Sequence, residues 1–107
     1  MATRALIRVE GFTTAALYKH YDGYLVGTLG WLESFNQDFI EHRGVDPSCC
    51  FAQLIRSSIR DGVEHNLDLS KYTGWRVVAY EEEVGQEYEY MLHSDGSVTY
   101  SKISSSN

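Results

Sequence analysis

The chain lacks the features that mark several large classes of protein. It has one proline and two cysteines in 107 residues, and no apolar run approaches the roughly 18 to 20 residues that a membrane-spanning helix needs. Residues 1–8 contain no long apolar stretch followed by a small-residue cleavage site, and Arg8 interrupts their apolar character. We therefore expect a soluble protein that is retained in the cytoplasm and has no membrane partner.

Signatures of metal and cofactor binding are also missing. The two cysteines, Cys49 and Cys50, are neighbours, so they cannot form an ordinary disulfide with each other and are expected to be reduced and mostly buried. The glycines form neither a dinucleotide fingerprint nor a phosphate-binding loop. The four histidines lie in separate segments without the spacing of a helical zinc site. We predict no metal and no cofactor.

Positive charge is scarce as well. The formal net charge is −6, and it is uneven: residues 1–26 carry +1, residues 27–61 carry −2 and residues 62–107 carry −5. A protein whose main partner is DNA or RNA normally has a basic face. The charge balance therefore argues against nucleic acid as the main partner, while a local basic pocket near the N-terminus stays open.

What the chain does contain is a sequence of strand and helix patterns. Runs of strands separated from a run of helices predict an α+β two-layer domain, with a mostly antiparallel five-stranded sheet, a two-helix hairpin on one face and the order ββααβββ. We expect one domain over residues 1–103 and a flexible tail over residues 104–107. The predicted strands are Ala5–Val9, Thr13–Tyr21, Trp75–Tyr80, Tyr88–Ser94 and Ser97–Ile103, and the predicted helices are Leu29–Arg43 and Pro47 to about Gly62.

Local signals predict where the helices begin and end. Thr28 is a candidate N-cap of the first helix, and Gly44 is expected to end that helix in the left-handed conformation. Asp46 is expected to cap the second helix, with Pro47 at its first position, and Gly62 to close it. The sheet face opposite the helices is predicted to be open to solvent, a second subunit or a ligand, so a homodimer or higher oligomer is one expectation.

The densest group of chemically versatile side chains is the stretch Tyr18-Lys19-His20-Tyr21-Asp22-Gly23-Tyr24. Strand alternation places Tyr18 and His20 on one face, and Asp22-Gly23 is a turn pair because glycine accepts a positive φ. Cations supply donors to an anion and tyrosines supply stacking faces. One interpretation is a structural corner, and the other is a binding site for a small anionic ligand, made by Arg4, Arg8, Tyr18, Lys19, His20, Asp22 and Tyr24.

Two other groups allow different functions. His20 and Asp22 resemble a base and its orienting group in a small hydrolase, although no nucleophile elbow accompanies them. Glu81-Glu82-Glu83 with Glu87 in a predicted loop is typical of a solvated hairpin connection, and it would also suit a basic protein partner. Tyr88 and Tyr90 share a strand face and are typical of core packing, with ligand stacking as the alternative.

Ala2-Thr3-Arg4-Ala5, followed by the Tyr18–Tyr24 stretch, resembles a family of small phage, prophage and prokaryotic proteins. Their pattern is Ser-Thr-Arg-Ala, then Tyr-x-His-x-Asp-Gly-Tyr-Pro-x-Gly. The similarity continues through Trp31-Leu32-Glu33-x-Phe35-Asn36 and Tyr72-Thr73-Gly74-Trp75. Leu25-Val26 replace the family's proline and polar residue, which makes the loop after Tyr24 more apolar.

The resemblance implies a context rather than an activity. It implies an accessory protein of a phage or mobile element that counters host antiviral defence without catalysis. In that context the expected partner is a small anionic ligand such as a cyclic nucleotide signal, which the protein would sequester. The alternative is an acidic inhibitor that binds a host defence protein, in the manner of a nucleic-acid mimic.

Overall fold

The computed structural model describes residues 3–20, 23, 25–65 and 74–103. They form an α+β fold with the order ββααβββ, which confirms the predicted fold class. The tail 104–107 and most of the connection between the second helix and the third strand lie outside the described residues. The elements are β1 (Ala5–Val9), β2 (Phe12–Lys19), α1 (Leu25–Arg43), α2 (Pro47–His65), β3 (Trp75–Ala79), β4 (Tyr88–Leu92) and β5 (Val98–Lys102).

The five strands form one sheet in the order β3-β2-β1-β4-β5. Three neighbouring pairs are antiparallel, and β1 with β4 is parallel, so the sheet is mixed. Strand β1 lies in the centre, where Ala5, Leu6 and Ile7 are fully buried. A central strand is covered on both faces, which explains why β1 is a continuous apolar run apart from Arg8.

Both helices pack on one face of the sheet, as predicted. α1 lies over β4 and β5, and α2 lies over β1 and β2. Leu32 and Phe39 of α1 and Phe51 and Leu54 of α2 are buried in the main core. The polar Asn36 is also buried on this stripe, and its amide donates to the carbonyls of His93 and Ser97 at 2.9 and 3.0 Å, so it holds α1 to the β4–β5 hairpin.

The start of α1 differs from the prediction. Helical turns begin at Leu25, and Val26 and Gly27 then break the helix, with φ of +88° at Gly27. Thr28 lies inside the helical span, is buried, and hydrogen-bonds through its side chain to Tyr90. Thr28 is therefore not the N-cap that the sequence predicted, because the non-helical residue before the regular helix is Gly27, which tolerates the positive φ of the kink.

The junction between the helices follows the prediction at most points. Gly44 has φ of +73° and its N–H donates to the Ile40 carbonyl at 2.9 Å, which ends α1. The Asp46 carboxylate accepts from the backbone N–H of Cys49 at 3.3 Å and caps α2.

The predicted end of α2 at Gly62 is wrong, since α2 continues to His65. A single glycine inside a helix costs only about 1 kcal/mol, so it does not have to end the helix.

The sheet face opposite the helices is not fully open, which corrects another expectation. The segment that joins β3 to β4 crosses this face, because β3 is an edge strand and β4 lies beyond β2 and β1. Val84 of this segment packs against a small second core made by Leu6, Ala16, Tyr18 and Val78. The middle of the face is thus covered by the chain itself.

Candidate functional site

The end of β2 separates the predicted site residues onto two faces of the sheet. Tyr18 belongs to the second core on the face opposite the helices, and its hydroxyl lies 2.5 Å from Nδ1 of His20. Lys19 lies on the helix face, where its Nζ is 4.3 Å from the ring centroid of Trp75. The strand alternation that groups Tyr18 with His20 is the same alternation that separates them from Lys19.

Arg8 is engaged in holding the β3–β4 segment. Its Nε and Nη2 donate to the Tyr80 carbonyl at 3.1 and 2.9 Å, and its Nη1 contacts the Glu89 carboxylate at 3.0 Å. Its guanidinium also lies 4.9 Å from the centre of the Tyr80 ring. Arg4 donates to the Val84 carbonyl at 3.3 Å. The structure therefore does not bring the two arginines together with Lys19, and gives them an anchoring role.

Gly23, the glycine of the Asp-Gly pair, is fixed by close packing. It is buried, its N–H donates to the Thr3 carbonyl at 2.8 Å, and its carbonyl accepts from the Tyr90 hydroxyl at 2.7 Å. A Cβ here would lie 2.7 Å from the Ala5 Cβ, and the residue does not have the positive φ expected of a turn glycine. Glycine is required at this position because a side chain would clash, and not because of its backbone conformation. Asp22 and Tyr24 lie outside the described residues.

The strand registers bring together a row of side chains that the sequence did not reveal. Trp75 pairs with Lys19, Lys19 with Ala5, Ala5 with Tyr88, and Tyr88 with Lys102. Each is the first or last residue of its strand, so the five form one line across the end of the sheet, which we call the terminal row. With strands about 4.8 Å apart, it is about 19 Å long.

Along the terminal row, one aromatic residue and one lysine lie on each side of Ala5. Lys19 lies over the Trp75 ring, and Lys102 has its Nζ 6.0 Å from the centre of the Tyr88 ring. Trp31 of α1 packs at the same end, with its ring 5.6 Å from that of Trp75 at an interplanar angle of 58°. Trp31, Trp75 and Tyr88 are each half-buried and pack against the main core.

This geometry suits the recognition of a planar ring that carries negative charge. Partly exposed indoles offer stacking faces, and the neighbouring ammonium groups offer charge-assisted hydrogen bonds to an anion. Alternation within each strand could have indicated which residues share a face. The row itself depends on the pairing of five strands that are distant in the chain, which local sequence signals do not encode.

A second polar arrangement links three elements at the other end of the sheet. His93 has Nε2 2.7 Å from the Thr99 hydroxyl and Nδ1 3.3 Å from the Glu10 carboxylate. The order hydroxyl, imidazole, carboxylate is that of a nucleophile with its base and orienting group. However, Glu10 also accepts from the Ser94 N–H and hydroxyl at 2.9 and 3.0 Å, so the group fastens the β4–β5 turn to the end of β1. These bonds hold the pKa of Glu10 below its usual value, with the Ser94 backbone bond the largest cause.

Nucleophilic chemistry has little support from the thiols. Cys49 is half-buried and Cys50 is buried, and neither is in a disulfide. Burial, with smaller effects from Cys49 and Asp46, raises the pKa of Cys50 to about 11. Cys50 therefore remains a neutral thiol near pH 7, as expected for a packing residue. The suggested His20–Asp22 pair stays a prediction, because Asp22 lies outside the described residues.

Within the described ranges, we find no group of three or more histidine, cysteine, aspartate or glutamate side chains that could hold a metal ion. In the same part of the chain, no helix has the length and apolar character needed to cross a membrane.

The comparisons with known proteins leave the resemblance described above as a prediction. The chain matches no protein-family model, no curated protein and no solved structure.

Proposed function

We propose that this chain is a non-catalytic binding protein for a small, anionic, ring-bearing ligand of the nucleotide type, held at the terminal row. The observation that carries this proposal is the Lys19 ammonium, which lies 4.3 Å from the Trp75 ring centre with Trp31 packed beside it. This is a cation and two partly exposed indoles in a chain of net charge −6. Charge-assisted hydrogen bonds from the ammonium group and stacking on the rings are the interactions that such a ligand needs.

The proposed site keeps only part of the cluster predicted from the sequence. Lys19 remains. Its partners are no longer the arginines but the aromatic and cationic residues Trp31, Trp75, Tyr88 and Lys102. Arg4 and Arg8 drop out because their guanidinium groups hold the β3–β4 segment on the other face. Tyr18 and His20 remain in contact but face away from the row, so their role is to fix the end of β2.

The family resemblance supplies a biological context for this proposal. A phage accessory protein that binds a nucleotide without hydrolysing it would lower the free concentration of a defence signal. Sequestration needs tight binding and no turnover, which agrees with a site made of rings and ammonium groups. We therefore propose a cyclic or linear signalling nucleotide as the ligand class.

Isothermal titration calorimetry with a panel of cyclic and linear nucleotides tests this function. We expect at least one member to bind with a dissociation constant below about 1 mM, and we expect Lys19→Met to weaken it about tenfold through loss of a charged contact. Trp75→Ala should weaken binding by a similar factor or more, since stacking contributes about 1–3 kcal/mol per base.

The matched control is Arg76→Met, which removes a cation from the next residue of β3 on the opposite face, where it lies 5.1 Å from the Tyr18 ring centre. It should leave the affinity unchanged. Absence of binding tighter than millimolar across the whole panel would overturn the proposal, and equal weakening by Arg76→Met would remove the site from the terminal row.

A second candidate function, inhibition of a basic protein partner, is favoured by one observation. Glu81, Glu82 and Glu83 are all exposed on the segment that Arg8 and Arg4 fasten to the sheet. A held loop presents its carboxylates with less loss of conformational entropy on binding than a free one. Replacing the three glutamates by lysine should abolish capture of a host defence complex in a pull-down, and unchanged capture would argue decisively against this alternative.

A further inference from the structure

The two helices enclose a groove that plays no part in the proposed function. It has a volume of about 480 Å³, and its lining includes Phe35, Asp38, Phe39, His42 and Arg43 from α1 and Gln53, Arg56 and Ser57 from α2. A volume of this size lies within the range of small-molecule sites in proteins, about 300–1,000 Å³. The terminal row contributes no residue to this lining.

The charge of the groove is opposite to that of the chain. Arg43 and Arg56 are both exposed, and their described contacts are to a cysteine sulfur and an amide oxygen. Arg43 reaches the Cys49 sulfur at 3.5 Å, and Arg56 reaches the Gln53 side-chain oxygen at 3.5 Å. Among the side chains that the structure describes, no carboxylate forms an ion pair with either guanidinium, so each keeps its capacity to bind an anion.

The one carboxylate in the lining is engaged by a histidine. Asp38 Oδ1 lies 3.3 Å from Nδ1 of His42, and the same nitrogen lies 2.9 Å from the Asp38 carbonyl. These contacts, with the backbone bond as the largest cause and Glu41 as a smaller one, raise the pKa of His42 above its ordinary value. The charged form of His42 offsets Asp38, which leaves the two guanidinium groups to determine the sign of the groove.

One wall of the groove is aromatic. Phe35 is half-buried, and its ring lies 6.3 Å from that of Phe39 at an interplanar angle of 21°. The wall therefore offers a flat apolar surface beside the cations. A ligand that satisfies both features has a ring and a strongly charged head group.

We propose that the groove between α1 and α2 is a second binding site, which accepts a phosphate monoester of a flat aromatic group. The phosphate would contact Arg43 and Arg56, and the ring would pack on Phe35. A phosphate monoester suits two guanidinium groups better than a carboxylate because it has three terminal oxygens and a charge of about −1.5 to −2 near pH 7. Both guanidinium groups are exposed, so phosphate binding requires no rearrangement of the core.

The test is an NMR titration of the ¹⁵N-labelled protein with phenyl phosphate. We expect saturable shifts of the amides of Arg43, Gln53 and Arg56 with a dissociation constant of about 1 mM or lower, and at least about fivefold weaker binding of inorganic phosphate, which has no ring. Arg56→Gln and Arg43→Gln should each weaken phenyl phosphate about tenfold. Phe35→Leu should bring phenyl phosphate and inorganic phosphate to similar affinities.

Arg76→Gln serves as the control, because it removes one positive charge from the opposite side of the molecule. It should leave the shifts of the Arg43, Gln53 and Arg56 amides, and the dissociation constant that they report, unchanged. Equal affinity for phenyl phosphate and inorganic phosphate in the unsubstituted protein, or shifts confined to the Trp31 and Trp75 indole N–H groups, would overturn the proposal. An absence of saturable shifts would overturn it as well.

Discussion

Single side chains illustrate how position in the fold decides chemical character. Cys49 and Cys50 are neighbours in the chain, yet helix geometry turns one toward the core and leaves the other half-buried beside Arg43. Burial raises the pKa of Cys50 to about 11. The sequence predicted two reduced thiols, and the structure distinguishes them.

This difference predicts ordered alkylation. At pH 8, a thiol of pKa about 11 is about 0.1% thiolate, and the thiolate is the reactive form. Iodoacetamide should therefore modify Cys49 first in the folded protein and Cys50 only after denaturation, as measured by intact mass over time. Cys49→Ser should remove the early adduct. Simultaneous modification of both thiols without unfolding would contradict the account of Cys50 as a buried packing residue.

Tyr90 provides a pH-dependent test at the same scale. Its hydroxyl donates to the Gly23 carbonyl, and burial raises its pKa to about 12, above the ordinary unfolded value of about 10. A raised pKa means that stability is fully present below pH 10 and is lost as the pH rises from 10 through 12.

Tyr90→Phe removes both the ionisation and the hydrogen bond. In urea unfolding, we expect it to be less stable than the parent protein by about 1–3 kcal/mol at pH 8. The gap should narrow by about 1 kcal/mol by pH 11, because only the parent loses proton-linked stability. A gap that stays constant between pH 8 and pH 11 would show that Tyr90 titrates normally.

At the scale of elements, the kink in α1 and the anchored β3–β4 segment are the two irregular features near the proposed site. Gly27 sits at the kink with φ of +88°, and Gly30 lies one turn later in regular helix. A Cβ at either position would meet no atom within 4 Å. The two glycines therefore differ in backbone conformation and not in the space around them.

Alanine substitutions at these positions form a matched pair. Gly27→Ala should lower the free energy of unfolding by about 1–2 kcal/mol, because an L side chain is strained at positive φ. Gly30→Ala should raise it by about 0.5–1 kcal/mol through helix propensity. Chemical denaturation measures both. Stabilisation by Gly27→Ala would mean that α1 runs through this position without the kink.

The β3–β4 segment depends on Arg8 more than on Arg4. Arg8 is largely buried and donates two bonds to the Tyr80 carbonyl beside its ion pair with Glu89, whereas Arg4 is exposed and makes one bond of 3.3 Å. We expect Arg8→Met to cost about 1–3 kcal/mol and Arg4→Met less than about 1 kcal/mol. Similar losses from both substitutions, measured in urea, would refute the anchoring role assigned to Arg8.

At the scale of the whole molecule, the sequence predicts features that depend on neighbouring residues and does not predict contacts between distant parts of the chain. Gly44 and the Asp46-Pro47 pair each act within a few residues, and the structure confirms both. The parallel pairing of β1 with β4 and the segment that crosses the sheet join residues about 80 positions apart. No local pattern encodes such contacts, because they result from competition among all possible strand pairings.

The candidate site shows the same division. The sequence predicted correctly that Tyr18 and His20 share a face, as the contact between the Tyr18 hydroxyl and the His20 ring shows, because alternation is a local property of an extended chain. It combined Arg4, Arg8 and Lys19 into one cluster, because it could not reveal that the β3–β4 segment engages the two arginines. Trp31, Trp75 and Lys19 meet only after α1 and three strands have packed, so the terminal row becomes visible only in the folded chain.

The most direct test of the central claim is tryptophan fluorescence during nucleotide titration. Trp31 and Trp75 are the only tryptophans in the chain, and both lie at the proposed site. We predict saturable quenching with the same dissociation constant as calorimetry gives, weakened in Lys19→Met and unchanged in Arg76→Met. Nucleotide binding detected by calorimetry without any change in tryptophan emission would contradict the location of the site at the terminal row.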